Sequence, residues 1–490
     1  MTTTVPRAAV ERGKMLTLVV LCAAMFLDAL DTSLVAVALP GIQDDLGMST
    51  GAAQWLISGY TVTYGGFLLL GGRLADLFGK RRMFLVSMVL FAVASLVGGL
   101  VSDPGLLIAS RLAKGIAAAL TAPAALSLIT TRFHEGPERN RALAFYSATA
   151  ASGYSLGLVF SGLLTALSWR LIFFMPVLIS VLVIVATPFV IKEPKLARAK
   201  RSYDIAGAFA ATFGILALVY GMVHAAERGW TDPMTLATLG GAVVLLVAFV
   251  FIERGGKDPT VPMRVFRSWT RSSAYLLALA FGCASLGWQF VATLYMQHFL
   301  HYSALQTALA MLPLGIVILL VAQFITSRLL SRVPARRIAG IGFLIQGAGI
   351  FVFTFVGVVG NYPGLMLPGL LLHAIGNGLV FPTINVAGVS GVDDEEQGVA
   401  SGLVTAALQV GVGVGVAIVS GVLTMATVGD GPEAQVAGYS AAFLTATCFS
   451  VVAAVIGFVG LRCGIGVPTD GGTERTAEPG QVAPAPVAGA

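Results

Sequence analysis

Four charged residues stand in stretches that are otherwise apolar. Asp28 and Asp31 interrupt the run Met15–Pro40, and Arg111 and Lys114 interrupt Gly105–Thr130. A charge in hydrocarbon costs roughly 2.5–3.5 kcal/mol on insertion scales, so it needs a partner, a water-filled cavity or both. Each pair has i,i+3 spacing, which puts its members near one face of a helix. Asp31 lies nine residues before Pro40, and Lys114 nine residues after Gly105. If the first helix runs outward and the other inward, these two reach a similar depth, with Asp28 a little deeper and Arg111 nearer the outer face. Two acids then meet two bases across one cavity. The chemistry open to such a cluster is proton-linked. Protonating Asp31 weakens its pairing with Arg111 or Lys114 and shifts the balance between two conformations. A purely structural salt-bridge network would use the same residues, and spacing alone leaves both readings open.

The composition identifies the solvent in which these helices sit. Of 490 residues, 57% are hydrophobic and 11% charged, and the mean hydropathy is +0.87. A soluble protein carries about 25% charged residues, so this chain cannot coat a soluble fold of its size. It reads as an all-α integral membrane protein. A span takes about 20 apolar residues. Fourteen candidates follow: Met15–Pro40, Ala52–Gly72, Met83–Val101, Gly105–Thr130, Ala142–Ser168, Leu171–Ile191, Ile205–Ala225, Met234–Ile252, Ser272–Phe299, Ala304–Ser327, Ile338–Val359, Gly364–Val389, Val399–Thr427 and Ala437–Leu461. The first is too long for a cleaved signal and reads as a retained helix. The segment after Arg462 is rich in Pro, Gly, Ala and Thr and reads as a disordered tail.

Charge placement orients the spans. With the N-terminus inside, two of the 30 Lys and Arg (Arg170, Arg228) fall in outside loops, two (Arg111, Lys114) fall in a helix, and the other 26 lie inside. This bias places both termini in the cytoplasm of a cell membrane and accounts for the net charge of +6 without a nucleic-acid partner. The acidic run Asp393-Asp394-Glu395-Glu396 is the inside exception and suits a helix N-terminus. Cys22, Cys283, Cys448 and Cys463 show no metal-type spacing and read as packing residues.

A weak repeat is present. Gly72-Arg73-Leu74 through Arg82 after the second span matches Ser327-Arg328-Leu329 through Arg337 after the tenth. An offset of eight divides the spans into six, two and six. The expected organisation is a cytoplasmic N-terminus at 1–14, six helices in 15–191, two linking helices in 192–271, six more in 272–461, and a cytoplasmic tail at 462–490. Transporters commonly consist of such repeats.

Several motifs carry a family resemblance. Gly72-x-x-x-Asp76-x-x-Gly79-Lys80-Arg81 resembles the loop between helices two and three of the major facilitator superfamily. Leu30-Asp31-Thr32-Ser33 through Pro40 resembles the first-helix motif of its fourteen-helix drug:proton antiporter branch, and Arg111-Leu112-Ala113-Lys114-Gly115, followed by Pro123, resembles the fourth-helix motif. Gln54-Trp55 with Tyr60, Ser168-Trp169-Arg170, and Tyr302-Ser303-Ala304-Leu305-Gln306 are further landmarks. The chain departs from the family at Ser33, Ala36 and Lys114, where Thr, Asn and Gln are usual. It departs again in the fifth helix, where Leu158 and Ser161 replace a Pro and a Gly of the antiporter motif that includes Gly153, Gly157 and Gly162.

The resemblance implies the major facilitator fold and proton-coupled efflux of amphipathic drug- or antibiotic-like molecules by alternating access. Asp31 and Arg111, with Asp28 and Lys114, would serve proton coupling. Gly72, Asp76, Gly79 and Arg81 would form a conformational gate, Asp76 lying against a helix that starts near Gly398–Gly402, with Arg82 beside them. The alternative is a more specific metabolite carrier, including an anion carrier that uses the added charge of Lys114 and one that does not antiport protons. Softer candidates for the cavity wall are Tyr60, Trp288, Gln289, Tyr295, His373, Asn377, Phe381 and Gln409. Each of them also suits plain helix packing. Gly411-Val412-Gly413-Val414-Gly415 lies within a span, lacks the Lys-Ser/Thr of a phosphate loop, and reads as close packing or a hinge. No catalytic motif is present. The expectation is a monomeric transporter with no cofactor beyond the proton gradient, whose partners are a small-molecule substrate, protons and the bilayer.

Overall fold

Backbone amides in hydrocarbon have no water to bond, so an apolar chain must close its hydrogen bonds within helices. The computed structural model does this throughout, with no strand among the described residues, which are 7–133, 137–191, 205–255, 263–392, 397–429 and 431–461. The expected tail, the basic segment 192–204 and the acidic run 393–396 lie outside them.

Fourteen long helical segments result: α1 (Arg7–Leu46), α2 (Thr50–Phe78), α3 (Lys80–Leu100), α4 (Pro104–Arg132), α5 (Pro137–Leu167), α6 (Leu171–Val190), α7 (Ile205–Arg228) and α8 (Pro233–Gly255). They continue with α9 (Trp269–Phe299), α10 (Ala304–Leu329), α11 (Ala335–Phe355) and α12 (Tyr362–Gly388), each including a short 3₁₀ or π turn, then α13 (Gln397–Ala426) and α14 (Pro432–Gly460). Eleven are long and apolar enough to cross a membrane on their own described residues, and the remaining three are α2, α5 and α7. The chain is a multi-pass membrane protein.

Local chemistry sets the helix ends. Asp103 caps α4, its carboxylate accepting from Leu106 N at 2.8 Å with Pro104 in the first turn. Ser303 and Gln306 form a reciprocal capping box at the start of α10, which is the physical content of the Ser303–Gln306 landmark. Gly79 joins α2 to α3 at φ +96°, a conformation that suits glycine. α1 starts at Arg7, well before the apolar run. Polar residues extend a helix readily outside hydrocarbon, and Lys14 braces it there by bonding Glu138 of α5 at 2.7 Å.

The packing pairs recur with an offset of eight. α1 packs on α5 and α6, as α9 does on α13 and α14; α4 packs on α2 and α3, as α12 does on α10 and α11. The two sets meet through α2 against α13 and α5 against α10. α7 lies along the α2–α13 seam, where Thr212 Oγ1 donates to the Gly66 carbonyl at 2.6 Å, and α8 packs on α7.

Three buried clusters show how the sets are arranged. At the end away from the termini, one continuous core joins Leu30–Ile42 of α1 and Trp169–Phe173 of α6 with Phe290–Met296 of α9 and Tyr439–Ala446 of α14. At the termini end the cores divide. One contains Leu18–Leu27, Met83–Phe91 and Leu120–Ile129, and the other Ala274–Phe281, Ala335–Phe343 and Val380–Ala387. Gln297 Nε2 also donates to the Val37 carbonyl at 2.8 Å at the far end, and His298 lies 3.5 Å from Asp44. A side chain at Gly398 or Gly402, at the opposite end, would meet no atom within 4 Å. The sets share one core at the far end, and toward the termini their cores are distinct, with Ala406 of α13 packed on the first.

Glycines allow the tightest crossings. A Cβ at Gly157 would lie 2.0 Å from Ser33 Oγ and 2.8 Å from the Leu30 carbonyl. In the Gly411–Gly415 run the glycines alternate in duty: Gly411 and Gly415 would strike α9 backbone at 2.0 and 2.2 Å, and Gly413 would strike Val62 of α2 at 2.7 Å. Overpacking costs typically about 1–3 kcal/mol and more where backbone must move. Gly157→Val should therefore lower the thermal unfolding midpoint of detergent-purified protein by several degrees, whereas Gly240→Val, in open space on α8, should leave it unchanged. Equal midpoints would show that α1 and α5 are not in direct backbone contact.

Candidate functional site

The site is built on the α2–α4 crossing. A Cβ at Gly115 would lie 2.2 Å from the Tyr60 carbonyl and 2.0 Å from Thr63 Oγ1, so only glycine lets α4 approach α2 this closely. That approach delivers Arg111, one turn earlier, to the α2 backbone, where its Nε donates to the Leu56 carbonyl at 2.7 Å. The Arg-x-x-x-Gly spacing therefore couples a helix crossing to the placement of a charge.

Asp31 of α1 completes a buried triad. Its Oδ2 accepts from Arg111 Nη1 and its Oδ1 from Lys114 Nζ. Arg111 and Asp31 are 1% exposed, and Lys114 is fully buried. Aromatic rings wall the cations. The Arg111 guanidinium lies 4.5 Å from the Tyr60 ring centroid, and Lys114 Nζ lies 4.8 and 5.3 Å from those of Phe91 and Phe173. One carboxylate against two cations leaves the triad formally at +1.

Asp28 is placed differently from the sequence expectation. It accepts from the Tyr60 hydroxyl, and Tyr64 also hydrogen-bonds it. Both bases go to Asp31, so the arrangement is a triad plus a separate acid held by tyrosines. When ionised, Asp28 returns the site to formal neutrality. Tyr64, Phe91 and Phe173 are site residues that the sequence reading missed. Tyr64 follows Tyr60 by one turn and shares its face, which is a readable signal, but nothing in the sequence marks the two phenylalanines.

The cavity candidates separate into several environments. Tyr60 belongs to the charged site. Trp288, His373 and Asn377 gather within the second set, the indole and imidazole centroids 4.2 Å apart and Asn377 Nδ2 3.3 Å from His373 Nε2. Gln289 Oε1 accepts from the Tyr154 hydroxyl of α5, across the two sets. Tyr295 lies at the far end, donating to the Gly357 carbonyl at 2.8 Å. Phe381 is 44% exposed and packs on Phe281, apart from the buried His373 and Asn377 despite their common spacing. Gln409 packs beside Gly65 at the α2–α13 seam.

The gate candidates lie within the first set. Arg81 Nη2 donates to the Pro188 carbonyl of α6 at 3.2 Å, and Gly72 faces Pro123. Asp76 is in α2, and its side chain lies outside the described residues. The expected approach of Asp76 to Gly398–Gly402 rests on that side chain and so lies outside the described residues.

The departures from the family pattern have local roles. Lys114 gives Asp31 its second cation. Ser161 donates to the Leu34 carbonyl, Ser33 sits against Gly157, and Leu158 packs with Val37 and Ala308. Trp169 Nε1 donates to Asp45 Oδ2 at 2.9 Å, and Arg170 to Ser102 Oγ at 2.8 Å, which ties the turn before α6 to α1 and to the α3–α4 loop at the far end. Among the described residues, no group of three or more His, Cys, Asp or Glu could hold a metal.

Removing one partner of a buried ion pair costs about 3–5 kcal/mol. Asp31→Asn, which strands two cations, should therefore lower the unfolding midpoint in detergent far more than Asp28→Asn, which removes a charge bonded to no cation and keeps an oxygen that accepts from the tyrosines. Equal losses would place a cation on Asp28 as well.

A family model described as Major Facilitator Superfamily matches residues 21–416 and again 277–488. The puromycin resistance protein pur8 of Streptomyces alboniger is 37% identical over 89% of this chain and 88% of its own length. The cephamycin export protein CmcT of Amycolatopsis lactamdurans is 35% identical over 90% and 91%. Among solved structures, a bacterial homologue of the human lysosomal transporter Spinster, in an inward-facing and unoccupied conformation, superposes with a TM-score of 0.66 at 16% identity, covering 92% of this chain and 97% of that one. That likeness shows the fold alone. By the family match and the extent of its relatives, the chain belongs to the Major Facilitator Superfamily and is a membrane transporter rather than an enzyme.

Proposed function

We propose that the protein is a proton-coupled efflux transporter, an antiporter of amphipathic drug- or antibiotic-like small molecules that works by alternating access. The observation that carries this reading is the buried Asp31–Arg111–Lys114 triad, with Asp28 beside it. A cluster this costly is retained where changing its charge does work. Protonating Asp31 removes the one anion between two cations, and their repulsion then favours rearranging α1 against α4. Protonating Asp28 breaks no ion pair, so it is a second stop for the same proton. The printed names of the relatives, a resistance protein and an export protein, support the direction of transport.

In this reading, residues 15–191 and 272–461 rock against each other, and α7, within the linking segment 192–271, braces the α2–α13 seam. Both termini are cytoplasmic, in the cell membrane. Gly72, Asp76, Gly79 and Arg81 act when the cytoplasmic ends close. Protons, the substrate and the bilayer are the partners of a monomer. No cofactor beyond the proton gradient is invoked.

A carrier for anionic substrates would draw on Lys114 as an open cavity charge. Lys114 is fully buried and bonded to Asp31, which favours the export reading.

The test is efflux from proteoliposomes with an imposed pH gradient. Asp31→Asn should uncouple substrate movement from the gradient, leaving less than about a tenth of the gradient-driven rate, in line with loss of an essential proton-transfer group. If Asp31→Asn alone is too unstable, Asp31→Asn with Lys114→Met removes one charge of each sign and gives the same readout. Unchanged coupling in both variants would sink the proposal.

A further inference from the structure

The packing repeat sets α9, α11 and α12 where α1, α3 and α4 stand in the first set. In the first set these elements hold the ionic triad. In the second they hold neutral polar side chains. Gln346 Nε2 of α11 donates to Ser285 Oγ of α9 at 2.7 Å, and Asn377 Nδ2 of α12 donates to the same oxygen at 3.3 Å. Asn377 also contacts the His373 imidazole, which lies against Trp288. The α11–α12 crossing that supports the cluster is fixed by glycine: a Cβ at Gly349 or Gly376 would come within 2.4 Å of the backbone nitrogens of His373 and Gln346.

This cluster is incomplete. Trp288 Nε1, Gln289 Nε2, Gln346 Oε1 and His373 Nδ1 are buried and have no hydrogen-bond partner. Buried polar atoms are nearly always paired, so three in one cluster, with the Gln289 amide on the adjoining residue, call for a ligand or a rearrangement that pairs them. No charged side chain competes for them. Residues 272–297, 304–327, 338–392, 397–429 and 434–461 contain no Asp, Glu, Lys or Arg. Gln289 reaches Tyr154 of α5, so the cluster borders the interface between the sets.

We infer that this cluster is the uncharged half of the substrate site, where an amide, carbonyl or hydroxyl group of the substrate takes up the bonding capacity of Trp288, Gln289, Gln346 and His373. The assignment rests on the export reading and adds a substrate class to it: molecules that carry neutral hydrogen-bonding groups beside an aromatic or apolar body. Protons are handled in the first set, and hydrogen-bond recognition in the second. Sites that bond a polar group discriminate strongly against analogues that lack it.

The test measures binding to the purified full chain with three probes. Puromycin and lincomycin carry amide and hydroxyl groups, and tetraphenylphosphonium carries none. His373→Phe keeps the ring against Trp288 and removes its nitrogens, while Gln346→Leu keeps the shape and removes the amide. Both variants should weaken puromycin and lincomycin about tenfold or more and leave tetraphenylphosphonium within about twofold, and His373→Gln should recover part of the loss. The unchanged tetraphenylphosphonium affinity also reports an intact fold. Equal loss for all three probes, or no loss for puromycin and lincomycin, overturns the site. An unaltered protein that binds tetraphenylphosphonium but neither amide-bearing probe overturns it as well and leaves the export reading standing. A protein that binds the probes but moves none of them across proteoliposomes overturns the export reading, and this role with it.

Discussion

One carboxylate shared by two buried cations is the constraint on which the first six helices depend. Asp31 must reach Arg111 and Lys114 together, because among the described residues neither cation has another anion within hydrogen-bonding reach. That requirement fixes the rotation of α1 and α4 about their axes. It also makes the glycine crossings necessary. Gly115 brings α4 onto α2, where the Leu56 carbonyl and the Tyr60 ring complete the Arg111 shell. Gly157 brings α5 onto α1 behind Asp31. Packing and electrostatics are therefore one problem here. A looser crossing would admit water or leave a charge unpaired, and either would alter what a proton does when it arrives.

Much of this was legible in the sequence because hydrocarbon makes charges conspicuous. Asp31, Arg111 and Lys114 stand out from apolar surroundings, and depth arithmetic brought Asp31 and Lys114 to one level, with Arg111 one turn nearer the outer face. The arithmetic fixes height along the membrane normal and leaves helix rotation free, so it could not decide between Asp28 and Asp31 for the two bases. The tyrosines of α2 decide it by taking Asp28. The aromatic walls were illegible for a related reason: among 28 phenylalanines, nothing local marks Phe91 or Phe173 as facing a cation. The stripe His373, Asn377, Phe381 spans two environments, the first two buried together and Phe381, a further turn along, exposed and packed on Phe281.

The departures from the family pattern gain a physical account once the contacts are known. Ser161 in place of a glycine bonds the Leu34 carbonyl, so the α1–α5 crossing trades some closeness for a hydrogen bond. Leu158 in place of a proline leaves α5 continuous and fills an apolar gap between α1 and α10 with Val37 and Ala308. Lys114 in place of a glutamine raises the charge that Asp31 must neutralise. These changes lie around the same acid, and they adjust its surroundings without dismantling the helix arrangement.

The two sets of helices share a packing plan and oppose each other in chemistry. Spans that correspond under the offset of eight carry ions in one set and amides, an imidazole and an indole in the other. Such asymmetry is useful in a transporter that must couple two different events. A proton changes charge, and charge is best sensed where counter-charges are fixed. A drug-like molecule presents shape and neutral hydrogen-bonding groups, and these are best sensed where no strong field overrides them. If both sets carried ions, substrate charge would dominate binding; if both were neutral, the gradient would have nothing to act on. The shared far-end core and the Tyr154–Gln289 bond join the two chemistries across the interface. A rearrangement around Asp31 therefore has a short physical route, through α1, α5 and α9, to the polar cluster in the second set.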